Sequence, residues 1–183
     1  MYELAQHQQQ RKLVSIYRSG IDALSIEAFV LGVSDELVLL QFVYDFHLDG
    51  LMILRIADLT AVECSETCKF QRELLVQEGL MKQVPFDTVF DLHNWHTLLP
   101  QLAATYPLMI LECEKLEEPD FVIGRVDQVT PEEVDFDYFS GSGRWGESLT
   151  TLALADITSC QVETNYIKAY QRYFERTASL PEA

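Results

Sequence analysis

Basic side chains are scarce in this chain. Only 13 Lys and Arg stand against 29 Asp and Glu, a formal net charge of −16. Phosphate backbones are held mostly by Lys and Arg, so this imbalance argues against a general nucleic-acid binder. Long apolar runs are missing too, and nothing approaches the ~18 consecutive apolar residues of a membrane helix. The first ten residues, Met1 to Gln10, are polar and lack the apolar stretch of a secretory signal. The expectation is therefore a cytosolic protein that does not enter a membrane. Cysteine is limited to positions 64, 68, 113 and 160. Cys64 and Cys68 lie four apart, but no second pair completes a zinc set. Cys64, Cys113 and Cys160 fall in apolar or alternating runs, where a reduced thiol behaves as a small hydrophobe. Glycine-rich phosphate loops are absent, and Gly141-Ser142-Gly143 lacks the context of a nucleophile elbow. No cofactor, disulfide or structural metal is expected.

What is present is enough apolar side chain, 48% of the chain, to bury a core and exclude wholesale disorder. The chain also repeats itself. Phe29-Val-Leu-Gly-Val33 recurs as Phe121-Val-Ile-Gly-Arg-Val126, pairing Gly32 with Gly124. Ala57-Asp-Leu-Thr60 recurs as Ala155-Asp-Ile-Thr158, and Phe70-Gln-Arg72 as Tyr170-Gln-Arg172. Three matches in one order read as a duplicated unit.

Each copy has the same grammar. Leu13 to Tyr17, Ile26 to Val33 and Leu37 to Tyr44 are β-branched, aromatic and leucine-rich runs that read as strands. Asp49-Gly50 signals a tight turn, Leu51 to Leu59 the next strand and Ala61 to Cys64 a short last one. The period then changes, and Ser65 to Glu78 reads as a helix. The second copy offers Leu108 to Cys113, Phe121 to Val126, Val134 to Phe139, Leu149 to Ile157 and Ser159 to Val162. A helix follows from about Thr164 to Arg176, with Ile167, Tyr170 and Phe174 on one face. Between the copies, Asn94 caps a helix that ends before Pro107, with Pro100 a candidate kink. At the Asp-Leu/Ile-Thr words, Asp58 and Asp156 are expected to accept backbone N–H bonds, with Thr60 and Thr158 in a weaker role.

Five short strands leave free edges unless they curl. The pattern Gly-x-Val, Leu-Val-Leu-Leu, Asp-Gly, Ala-Asp-Leu-Thr-x-Val resembles tandem Sm-like small-barrel repeat proteins of bacteria. The resemblance implies a mainly β protein with helices (α+β), built as two tandem Sm-like (Src-homology-3-like) five-stranded small barrels, each followed by a helix. On that reading residues 1–80 are the first barrel and its helix, 81–106 a connecting segment with a helix, and 107–183 the second barrel and a C-terminal helix. Members of that family often bind RNA, but Ala57-Asp-Leu-Thr60 and its counterpart lack the Arg-Gly or Lys-Gly of RNA-binding members.

Candidate chemistry is thin. His93-Asn-Trp-His96 places two histidines on one helix face, but nothing marks a third ligand, so a solvated helix start with Trp95 packed inside is the expected reading. Arg144 and Trp145 sit on a hairpin tip and have the composition of a binding hot spot, although the favoured expectation is that Trp145 folds back to cover the barrel mouth. Ten carboxylates fall between Glu112 and Asp137 against Lys115 and Arg125, and this acidic surface includes Glu117, Glu118, Asp135 and Asp137. These observations lead to a non-enzymatic interaction module that binds a protein partner, a basic one by charge, through Arg144, Trp145, Glu117, Glu118, Asp135 and Asp137. The alternative is a small-ligand-binding protein or hydrolytic enzyme, with a cleft between the barrels near His93, His96 or the Asp58 and Asp156 turns. RNA binding is third.

Overall fold

The computed structural model describes residues 2–178. Helix α1 (Tyr2–Gln9) leads into β1 (Leu13–Tyr17), β2 (Ile26–Val33), β3 (Leu37–Tyr44), β4 (His47–Arg55), β5 (Ala61–Glu63) and α2 (Glu66–Gln77). Helix α3 (Trp95–Thr105) then leads into β6 (Met109–Cys113), β7 (Asp120–Val129), β8 (Glu133–Tyr138), β9 (Thr150–Ala153), β10 (Ser159–Val162) and α4 (Asn165–Ala178).

The expected pair of closed five-stranded barrels is not what forms. All ten strands join one antiparallel open sheet in the order β5-β1-β2-β3-β4-β10-β6-β7-β8-β9. The reason lies at the outer edge of β4. Closure would pair that edge with β5 of the same half. Instead it pairs with β10, Leu51 opposite Val162 and Leu54 opposite Ser159. The backbone groups of β4 are satisfied across the seam between the halves, and β5 and β9 are left as the free edges. The sheet nevertheless coils strongly. Arg18, just after β1, bonds Glu114, just after β6, at 2.7 Å. Five strand spacings separate those strands, roughly 24 Å in a flat sheet.

The two halves use matching registers. Val30/Gly32 and Val126/Gln128 are the bulges of the β2–β3 and β7–β8 pairs. Ala28 faces Phe42 in the first half, and Gly124 faces Tyr138 in the second. Position 28 is therefore the counterpart of 124, and the expected match of Gly32 with Gly124 does not hold. Gly32 stands where the second half has Gln128.

The recurring Thr has a defined role. The backbone N–H and Oγ1 of Thr60 both bond to Tyr17 O, at 2.8 and 3.1 Å, and Oγ1 accepts from Ser19 N–H at 3.1 Å. Thr158 repeats this on Glu112 O, at 2.8 and 2.9 Å, and accepts from Glu114 N–H at 3.2 Å. Threonine, not aspartate, pins the short last strand of each half to its first strand. Asp58 instead pairs with Lys115 across the seam, and its Oδ2 is buried with no hydrogen-bond partner among the described residues.

The largest apolar cluster runs through both halves. Phe29, Leu37, Leu39 and Ile53 meet Met109, Leu111, Val134 and Phe136 there, with Leu98, Leu99 and Leu102 of α3. Trp95 belongs to it and donates Nε1–H to Ile157 O at 3.1 Å. Helix α3 runs through Pro100, which is exposed. A second cluster lies on the other face of the first half, where Leu4 of α1 packs on Val14, Val30 and Leu40. The third holds α4 through Ile167, against Leu108, Ile110, Ile123 and Phe139.

Asp49-Gly50 is not the turn. That role falls to Asp45 and Phe46, with φ of 45° and 66°, while Asp49 and Gly50 lie inside β4. Asp49 Oδ1 accepts from Asn165 N–H at 2.6 Å, and Gly50 has φ +74° against the backbone of 162–164. A Cβ at Gly50 would stand 2.5 Å from both Thr164 N and Val162 O. Gly50→Ala is therefore expected to cost about 3 kcal/mol or more, read as a fall in the urea midpoint.

Helix α1 was not foreseen, because among its described side chains only Leu4 and His7 are buried. Its Gln8 Nε2–H donates to Leu31 O at 2.7 Å, and His7 Nδ1 is buried with no hydrogen-bond partner among the described residues. Burial lowers the His7 pKa below its ordinary 6.5, Lys12 lowers it further, and Glu3 opposes the shift. A depressed histidine favours the folded state fully above pH ~6.5, and this contribution is lost as pH falls toward the folded value. The melting temperature is expected to drop between pH 7.5 and 5.5. His7→Leu should flatten the profile over that range.

Candidate interaction site

The hairpin tip after β8 is built by short local bonds. Gly143 N–H donates to Ser140 O at 2.8 Å, Ser140 N–H to Arg144 O at 2.9 Å, and Gly146 N–H to Tyr138 O at 2.8 Å. Gly143 has φ +72°, and a Cβ there would press on the Tyr173 ring at 2.8 Å, so only glycine seats the tip on α4. Tyr170 completes the join, donating Oη–H to Gly141 O at 3.0 Å. Its phenol pKa is raised, chiefly by its hydrogen bond to Tyr166.

Trp145 folds back from this tip. Its ring lies 5.2 Å from Phe139 and 5.3 Å from Phe174, and Phe174 lies 5.4 Å from Tyr173. Aromatic pairs at these separations add binding beyond burial alone. Above Trp145 sits the guanidinium of Arg125, 4.8 Å from the ring centroid. Arg125 also donates to Asp137 Oδ2, from Nε at 3.0 Å and from Nη2 at 2.8 Å. Tip, strands and helix enclose an open cleft of about 870 Å³, with Trp145, Tyr173, Phe174, Arg125, Asp137 and Glu175 on its walls. Trp145 and Tyr173 stay 37% and 47% exposed and share one cleft.

Of the six candidate surface residues, Trp145 and Asp137 line this cleft. Arg144 is exposed on the tip and contributes backbone bonds. Asp135 accepts from Thr151 Oγ1 at 2.6 Å on the adjoining strand face. Glu117 and Glu118 are exposed in the loop between β6 and β7, beside Glu114 and Lys115. They do not line the cleft. Arg125, Tyr173 and Phe174 were missed as site residues. Their signal was the aromatic row of the last helix, together with the one basic residue on an acidic strand.

The histidine constellation does not assemble. His96 lines a cleft of about 660 Å³ between the halves with Arg55, Asn94 and Pro131, whereas His93 lines a different one. Asp58 is held by Lys115, and among the described residues no group of three or more His, Cys, Asp or Glu side chains is placed to hold a metal ion. The four cysteines are free thiols. Burial pushes the Cys113 pKa up to about 11 and that of Cys160 higher, so neither is a ready thiolate. Among the described residues no helix is long and apolar enough to cross a membrane. No family model, curated protein or solved structure matches the chain.

A second polar group deserves comparison with its counterpart. Ser15 Oγ–H lies 2.8 and 2.9 Å from the two oxygens of Glu27, and 3.2 Å from Cys68 Sγ, which is itself 3.5 Å from Glu27 Oε2. Ser15 faces Glu27 across β1–β2, and Cys68 N–H is capped by Ser65. In the second half Ile110 faces Ile123, and Ile167 N–H is capped by Thr164. The same three positions are thus Ser, Glu and Cys in one half and three isoleucines in the other. The triple variant Ser15→Ile, Glu27→Ile, Cys68→Ile is expected to fold and to match or exceed the native melting temperature, because the second half packs three isoleucines at these positions and a polar group replaced as a whole leaves no orphaned partner. Thermal melting followed by circular dichroism checks this.

Proposed function

We propose that the chain is a non-enzymatic interaction module that binds a protein partner through the cleft between the 139–149 hairpin and α4, together with the adjoining outer face of β7–β9. The observation that carries this reading is the exposed aromatic wall of Trp145 and Tyr173 beside Asp137. Exposed Trp, Tyr and Arg in a packed concave setting are the ingredients of binding hot spots.

Comparison of the halves adds support. Phe29, Leu37, Leu39 and Ile53 are buried in the first half, where Phe86 packs 5.8 Å from Phe29 and Leu92 lies against Gly32. The corresponding positions of the second half are Arg125, Glu133, Asp135 and Thr151, none of them buried. Positions that the first half buries in the core shared by both halves are left open and polar in the second. The matched bulges and threonine bonds support reading the two halves as a duplicated unit whose copies have diverged in role. The partner suited to this face is basic, since residues 93–183 carry a formal charge of −9. The dispersal of His93, His96 and Asp58 supports binding over catalysis.

Selection of a random peptide library displayed on phage tests the proposal. The native protein should enrich a sequence family that fails to bind the double variant Trp145→Ala, Tyr173→Ala, whose far-ultraviolet circular dichroism should be unchanged. Enrichment that is the same for both proteins, or none at all, overturns it.

A further inference from the structure

Resting on that reading, we infer that the cleft is a seat for a guanidinium or ammonium group carried by a basic segment of the partner, and that Arg125 is its resident occupant. A cation held over an indole face within about 6 Å of the centroid is attracted by the ring quadrupole. Arg125 meets that condition at 4.8 Å and also bonds Asp137, so the chain itself shows which chemistry this pair of groups accepts. The occupant lies on the solvent side of the cleft. The Arg125 side chain is 61% exposed, whereas that of Asp137 is only 22% exposed. The ring and carboxylate are backed by the fold, and the cation is the most exposed member of the set.

Preorganisation of the receiving groups comes from below. Trp145 is backed by Phe139 and Phe174, and Phe139 is 3% exposed in the cluster that holds α4. Glu175 and Gln171 of α4 line the same cleft, beside the aromatic wall. An incoming arginine would exchange one guanidinium for another at Trp145 and Asp137, while its aliphatic stem lies along Tyr173. The exchange releases Arg125 to solvent, so the partner must supply more than one contact to win. That requirement selects a segment with several basic residues over a single free cation, in keeping with the acidic face that adjoins the cleft.

The resident arginine gives the inference a distinctive sign. A purely structural Arg125 would weaken binding when removed, because Trp145 would lose its cover. A competing Arg125 would strengthen it.

The test uses the full chain and a capped octapeptide of alternating arginine and alanine, with a citrulline–alanine peptide as the uncharged isostere. Titration calorimetry at low salt, with Trp fluorescence as a second readout, should show the arginine peptide binding about tenfold or more tighter than the citrulline peptide. Trp145→Ala should weaken it by about fivefold or more. Arg125→Ala and Arg125→Gln should both tighten it, by roughly three- to tenfold. Equal affinity for the two peptides overturns the inference. So does unchanged affinity in Trp145→Ala, which would mark diffuse attraction to an acidic surface, and so does weaker binding in both Arg125 variants. If the arginine peptide fails while library selection still returns sequences dependent on Trp145 and Tyr173, the cation seat is wrong and the interaction module stands. If both fail, both fall.

Discussion

The pairing of β4 with β10 is the constraint on which the rest of the molecule depends. A buried peptide edge must find partners, and each orphaned group costs about 1–3 kcal/mol. Here the partners come from residues more than a hundred positions away, Leu51 opposite Val162 and Ile53 opposite Cys160. Side-chain bonds reinforce the same seam. Arg55 Nη2–H donates to Leu154 O at 2.6 Å, Trp95 Nε1–H to Ile157 O, and Lys115 pairs with the buried Asp58. Arg18 spans the coil of the sheet, bonding Asp22 and Glu114, whose carboxylates outweigh burial and raise its pKa. With the edge of β4 taken by the other half, neither half has the strand it needs to close on itself.

The halves serve as controls for one another. A shared register shows what the architecture requires: the bulge in the second strand, the threonine that ties the last strand to the first, the polar cap before the closing helix. Positions that differ show what it does not require. The Ser15–Glu27–Cys68 group is replaced by isoleucine in the second half, so packing of the closing helix does not call for polarity there. The face of Leu37 and Leu39 is apolar where it joins the core shared by both halves, and its counterpart in the second half, Glu133 and Asp135, is charged and not buried among the described residues. The differences between the halves therefore separate the scaffold from the surface it presents.

Much of this was legible in the sequence, and the losses have physical causes. Leu13 to Tyr17, Ile26 to Val33, Leu37 to Tyr44 and Ser159 to Val162 declare themselves as strands through branched and aromatic runs with the observed ends. The helix capped by Asn94 and the aromatic face of the last helix were equally plain. Alternation encodes which face a side chain takes, but not which strand an edge will meet, and that is why two barrels were expected and one sheet formed. Gly50 was misread because its positive φ serves the close approach of β10, not a turn. The Gly32–Gly124 match failed because a four-letter word in a strand recurs easily at the wrong register. Trp145 stood out by composition, whereas no motif in the sequence singled out Arg125, which meets the indole only because the hairpin tip folds back onto β7 and β8.

The seam also carries a consequence in time. A chain leaving the ribosome at about 5–20 residues per second exposes β4 well before residues 159–162 exist, an interval on the order of ten seconds. Throughout it, Leu51 to Leu54 present an apolar strand with an open hydrogen-bonding edge, the kind of template to which other nascent chains add. The first half must wait for its other half, and during the wait its safety rests on chaperones or on speed, not on its own fold.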